Sequence, residues 1–174
     1  MKDREGQDDR STPCGIPYGV VRRYDQMALA RAVDSLYAAF EPYALNDRID
    51  FCPHCELDAS ERQLHVRPLR EMTWADLAVY CPRAVTTFGD EFDLRHFLPR
   101  ILELYVTDHR GAPCCLFVMF GKLEQGAWAD WPAGEREAVR VFIEAWRHAL
   151  TGAARTSEDA AWELDELQSA MLAL

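Results

Sequence analysis

The sequence predicts a mainly α protein of stacked antiparallel helices, on three observations. Apolar residues recur at three- and four-residue spacing in several separate stretches, which is the period of one helix face. Those stretches are opened by Asp, Thr or Ser and closed by Gly or Pro, the residue types that cap and stop helices. The alternating pattern of a half-buried strand is confined to a short run at Gln63 to Val66. With 174 residues, 49% hydrophobic and 28% charged, the chain has the size and balance of one globular domain with a core. The expected division is a loosely docked arm over 1–24 and a helical domain over 25–174, with a cysteine loop at 43–72.

Residues 1 to 24 mix charge with Pro13, Gly15, Pro17 and Gly19 and show no period, hence the arm. From Asp25 the stripe Leu29, Val33, Leu36, Tyr37 and Phe40 predicts a first helix, stopped by Pro42. Residues 43–72 carry few apolar side chains (Leu57, Leu64, Val66, Leu69), so a long polar segment here calls for something to hold it. Thr73-Trp74-Ala75-Asp76 has the layout of a capping box, with Asp in place of Glu, and opens a stripe of Trp74, Leu77, Ala78, Cys81, Val85 and Phe88. Pro82 falls inside that stripe and predicts a kink or two short helices. Gly89 reads as a stop and Asp90 as the cap of a helix reaching about Thr107 on Leu94, Phe97, Leu98, Ile101 and Tyr105, with Pro99 interrupting it.

Residues 108–113 form a turn. The run from Cys114 to Phe120 is apolar on every side and reads as a buried segment, with Pro113 and the Lys122-Leu123-Glu124 continuation favouring helix over strand. Trp128 and Trp131 bracket an exposed loop. Pro132 then starts a helix on Ala138, Val139, Phe142, Ile143, Trp146 and Leu150, ended by Gly152. A last helix from Thr156 or Ser157 carries Leu164, Leu167 and Met171, and its acidic residues Glu158, Asp159, Glu163, Asp165 and Glu166 read as solvated surface.

A net charge of −10 and a pI near 4.9 argue against a nucleic acid or anionic membrane as partner, since both require a basic face. No apolar run approaches the ~20 residues of a membrane span, and the amino terminus has no apolar leader. A cytoplasmic protein is expected, and in that compartment six cysteines point to buried thiols or metal ligands before disulfides.

Within Phe51-Cys52-Pro53-His54-Cys55 two thiols sit two residues apart on a turn stiffened by proline, a spacing that lets both sulfurs bind one ion. Downstream lies Asp93-Leu94-Arg95-His96-Phe97-Leu98-Pro99-Arg100, and further on Trp128-Ala129-Asp130-Trp131-Pro132. Together these stretches resemble a group of uncharacterised bacterial proteins, over about residues 50 to 150. The resemblance implies no activity. It implies that the cysteine pair and the histidine belong to one recurrent pattern, compatible with one shared site.

A structural zinc site closed by four nitrogen or sulfur donors would use Cys52, Cys55 and His96, with Asp93 orienting the imidazole or ligating. Cys81 is the candidate for the fourth position, beside His54, His65, Cys14 and Asp93; its place on an apolar stripe also suits a small core residue. Cys114 and Cys115 read as core. Cys-x-x-Cys is equally the signature of a redox dithiol, but the polar residues after Cys55 could not pack on the sheet such a site needs. Phosphate loops, His-Glu-x-x-His and nucleophile elbows are absent. The expectation is a structural-zinc helical domain acting in protein interaction or regulation, and no catalytic residue. The alternatives are a thiol-disulfide oxidoreductase using Cys52 and Cys55, or a metal enzyme with an open zinc position.

Overall fold

A computed structural model describes residues 23–172. Among these residues seven α-helices follow one another: α1 (Arg23–Phe40), α2 (Asp58–Gln63), α3 (Trp74–Leu77), α4 (Glu91–Thr107), α5 (Leu116–Gln125), α6 (Ala133–Ala153) and α7 (Glu158–Met171). Among the described residues there is no β-strand; single bridges join Phe51 to Phe88 and Ala84 to Phe88. The mainly α class is therefore as the spacing predicts. No described helix is long and apolar enough to cross a membrane.

The long helices bury the stripes that define them. Leu29, Ala32, Leu36 and Phe40 of α1 are buried, and α1 packs chiefly on α6, whose Val139, Phe142, Ile143 and Trp146 face inward. Helix α4 runs through the middle: Leu94, Phe97, Leu98, Ile101, Leu102 and Tyr105 are all buried, and the helix continues through Pro99 without a break. Helix α7 closes the other side, against α5 and α6.

The predicted caps are in place. The Asp76 carboxylate accepts the Thr73 amide and hydroxyl, each at 2.8 Å, although α3 lasts only four residues and Pro82 sits in a separate 3₁₀ turn, Cys81–Arg83. Asp90 accepts the amides of Phe92 and Asp93 at 2.8 and 3.1 Å, and Asp93 answers by accepting the Asp90 amide at 3.0 Å. Ser157 caps α7.

Five expectations are corrected. The 43–72 segment contains a short helix, α2, and buries Ile49, Leu57, Leu64 and Met72, so it holds itself more firmly than its composition suggested. The 114–120 run is helical from Leu116 but not buried all round: Phe117 is 60% exposed, because a surface helix turns every third or fourth residue outward. Trp128 and Trp131 are buried, and the Trp131 indole donates to the Gly126 carbonyl at 2.7 Å, so the two rings that bracket the loop are packed into the core and not exposed. The acidic face of α7 is not all solvated: Glu163 is 2% exposed. Gly152, predicted to end α6, lies inside its last turn.

Candidate functional site

The cysteine pair lies on a turn in which the Cys55 amide donates to the Cys52 carbonyl at 3.0 Å. Both cysteines are half-buried, while Pro53 and His54 between them are exposed. The residues that enter the turn are docked onto the loop that precedes α4: the Cys52 amide donates to the Thr87 carbonyl at 2.9 Å and the Gly89 amide to the Asp50 carbonyl at 2.7 Å. The Phe51 and Phe88 rings meet edge-on at 5.9 Å.

Left-handed backbone concentrates in these two loops. Glu56 (φ 46°), Val85 (φ 55°) and Gly89 (φ 72°) are three of the four described residues with positive φ, and the two with side chains are uncommon hosts for it. Glu56 directly follows the second cysteine. The Cys55 thiol is held above its ordinary pKa, first by its interaction with the Cys52 thiol and then by burial; the Arg83 charge works the other way.

The remaining predicted ligands are elsewhere. His96 is half-buried on α4, and its Nδ1 lies 2.7 Å from the Tyr43 carbonyl, at the start of the α1–α2 loop whose later part carries the cysteine turn. Burial holds its pKa below the usual histidine value, against the Tyr43 carbonyl and Asp93. Asp93 serves as the capping residue of α4 and accepts Asn46 Nδ2 at 3.3 Å. Cys81 is wholly buried, and burial, with Cys114 nearby, pushes its thiol far up. His65 lies 2.9 Å from Glu61, and Cys14 falls outside the described residues. Among the described residues no three His, Cys, Asp or Glu side chains gather as a metal-ion group.

Two further polar clusters are largely buried. On α4 the buried Arg95 donates to the Tyr43 hydroxyl (2.9 Å), which donates to Glu135 (2.6 Å), with the guanidinium 4.7 Å from the Trp131 ring centre. Between α7 and the turn after α4, His109 Nε2 pairs with Glu166 at 2.7 Å, Glu166 also accepts the Leu116 amide at 2.8 Å, and Glu163 accepts the Trp146 indole at 2.9 Å. The second cluster has a legible signal: Glu163 occupies a buried stripe with Ala160, Leu167 and Ala170, where a carboxylate must find partners.

Comparison with known protein families, with curated proteins and with solved structures finds no match to this chain.

Proposed function

We propose that this is a helical zinc-holding module that works through protein interaction or regulation, with Cys52 and Cys55 as two thiolate ligands. The observation that supports it most is the built turn around the pair: a Cys55 amide closed onto the Cys52 carbonyl, a backbone docked by two hydrogen bonds where it enters the turn, and a left-handed Glu56 directly after Cys55. A side-chain-bearing residue in that conformation costs roughly 1–2 kcal/mol, which a bound ion would offset. Thiols that hinder each other's deprotonation lose both protons to a divalent cation, because its charge outweighs their mutual repulsion. Cys81 would have to leave the core, and His96 to release Tyr43, to join the pair. Of the described donors, His54 is exposed at the turn and has no such role.

A thiol-disulfide oxidoreductase is the second reading, and Arg83 favours it, since a cation beside Cys55 stabilises a thiolate. Against it, the pair precedes the six-residue α2, whose cap is Leu57, so no helix N-terminus faces the sulfurs. Thermal unfolding of Cys52→Ser and Cys114→Ser separates these readings. Under the zinc reading Cys52→Ser lowers the midpoint far more than Cys114→Ser, and a chelator removes the difference. Equal small losses contradict it, and insulin reduction that disappears in Cys52→Ser would establish the redox enzyme.

A further inference from the structure

Cys114 and Cys115, expected in the core, instead lie at a surface cavity of about 650 Å³ beside the turn after α4. Both line it, Cys114 half-buried and Cys115 exposed, with Tyr105, Ala112 and Trp162 among the other walls. Tyr105 fixes the first of them: its hydroxyl donates to the Cys114 carbonyl at 2.7 Å and stands 3.6 Å from the sulfur. Cys115 is the N-cap of α5, and its thiol makes no capping hydrogen bond. Glu166, which also lines the cavity, is engaged by His109 Nε2 and the Leu116 amide. Two adjacent sulfurs are therefore the groups still open to a ligand with an affinity for thiols.

Direct union of the two sulfurs is disfavoured. Consecutive Cα atoms stand about 3.8 Å apart, short of the roughly 4.4–6.8 Å that disulfides span. An ion between the sulfurs closes a larger ring and removes that constraint. Zinc would need further donors, and among the described residues no third His, Cys, Asp or Glu side chain joins the pair as a metal-ion group. A soft monovalent d¹⁰ ion is satisfied by two sulfurs. Its charge also suits the cavity. Two thiolates and one monovalent cation leave a single negative charge, which meets the N-terminus of the ten-residue α5 and the Arg110 guanidinium on the wall. Arg110 pairs with Asp159 and keeps further N–H groups.

We infer that Cys114 and Cys115 form a two-coordinate site for a soft, thiophilic d¹⁰ cation of the Cu(I) class, with Arg110 and the α5 N-terminus balancing the charge of the bis-thiolate. Binding breaks two S–H bonds, releases both protons to solvent and forms two metal–sulfur bonds, with no change of oxidation state. Burial holds the Cys114 thiol above its ordinary pKa, so the ion itself displaces that proton. The site is separate from Cys52 and Cys55 and stands whether or not that turn holds zinc.

The test is anaerobic titration of the full chain with Cu(I) buffered by bicinchoninate, comparing the parent with Cys114→Ser, Cys115→Ser and Cys52→Ser. The parent should bind about one Cu(I) per chain that Cys52→Ser retains and that Cys114→Ser and Cys115→Ser each hold about a hundredfold or more weakly, because the second sulfur closes on an ion already held by the first. Saturation of that equivalent should shift the Ala112 amide and Trp162 indole resonances, which report on the cavity walls. Cys115 is exposed, so its replacement leaves the fold intact even if Cys114→Ser does not, and circular dichroism checks both. Equal uptake by the parent and Cys115→Ser overturns the inference. So does uptake lost in Cys115→Ser but kept in a folded Cys114→Ser, which would mean a lone thiol, or an equivalent lost in Cys52→Ser, which would place the ion at the cysteine turn.

Discussion

Among single residues, Glu163 has the sharpest consequence. Burial raises its pKa from 4.5 to about 7, against the Trp146 hydrogen bond and reinforced by Glu166 and Asp159. An acid whose folded pKa lies above its unfolded one binds its proton more tightly in the native state, so its contribution to stability is intact below the unfolded pKa and declines as pH rises through the folded one. Glu163→Gln keeps an acceptor for Trp146 and removes the ionisation. Its melting temperature relative to the parent should therefore climb between about pH 5 and pH 8, as thermal melts followed by circular dichroism would show; a constant difference would mean that Glu163 does not titrate there. This residue also shows what the sequence hides. Helical spacing places Glu163 on a buried stripe, but whether a carboxylate there is neutral, paired or solvated depends on Trp146 and His109, which arrive from distant parts of the chain. For the same reason His96 was legible as a polar residue on α4, while its partner, the Tyr43 carbonyl, was not.

Secondary structure was more legible, because caps are local. Thr73/Asp76, Asp90/Asp93 and Ser157 act within three residues of themselves and need no tertiary partner. Gly89 links that local chemistry to packing: at φ 72°, a Cβ there would stand 2.8 Å from Asp93 Oδ2 and 3.1 Å from Ile49. Gly89→Ala should thus cost about 2 kcal/mol or more, combining left-handed strain with damage to the α4 cap, measurable by urea unfolding. Glu56→Gly is the opposite case. Relieving its left-handed conformation should raise stability by roughly 0.5–1 kcal/mol without loss of any metal bound at the cysteines; loss of metal would show that Glu56 does more than turn the chain. The 43–72 segment was misjudged at this scale, since four buried side chains spread over many residues produce no period to read.

Over the whole molecule, α7 is held by polar clasps as well as by apolar packing: Glu166 to His109 and to the Leu116 amide, Glu163 to Trp146, and Asp159 to Arg110. Glu166→Ala strands the buried His109 and an amide in the first turn of α5, so a loss of about 2–3 kcal/mol is expected, with faster hydrogen exchange in α7 than in α1; uniform exchange would mean that α7 is not a separate cooperative unit. The helical class followed from stripes that any packing of helices must bury. The arrangement of the site did not, because the order of helices around α4 decides which loops meet. That order brings the Cys52–Cys55 turn to the loop before α4, and His96 to Tyr43 at the other end of the loop that carries the turn. The claim that the cysteine turn is a zinc clip is tested most directly by elemental analysis of the full chain purified without added metal or chelator. About one zinc per chain in the parent and little in Cys52→Ser is the expected result. A metal-free protein, or equal zinc in the parent and in Cys52→Ser, would contradict it.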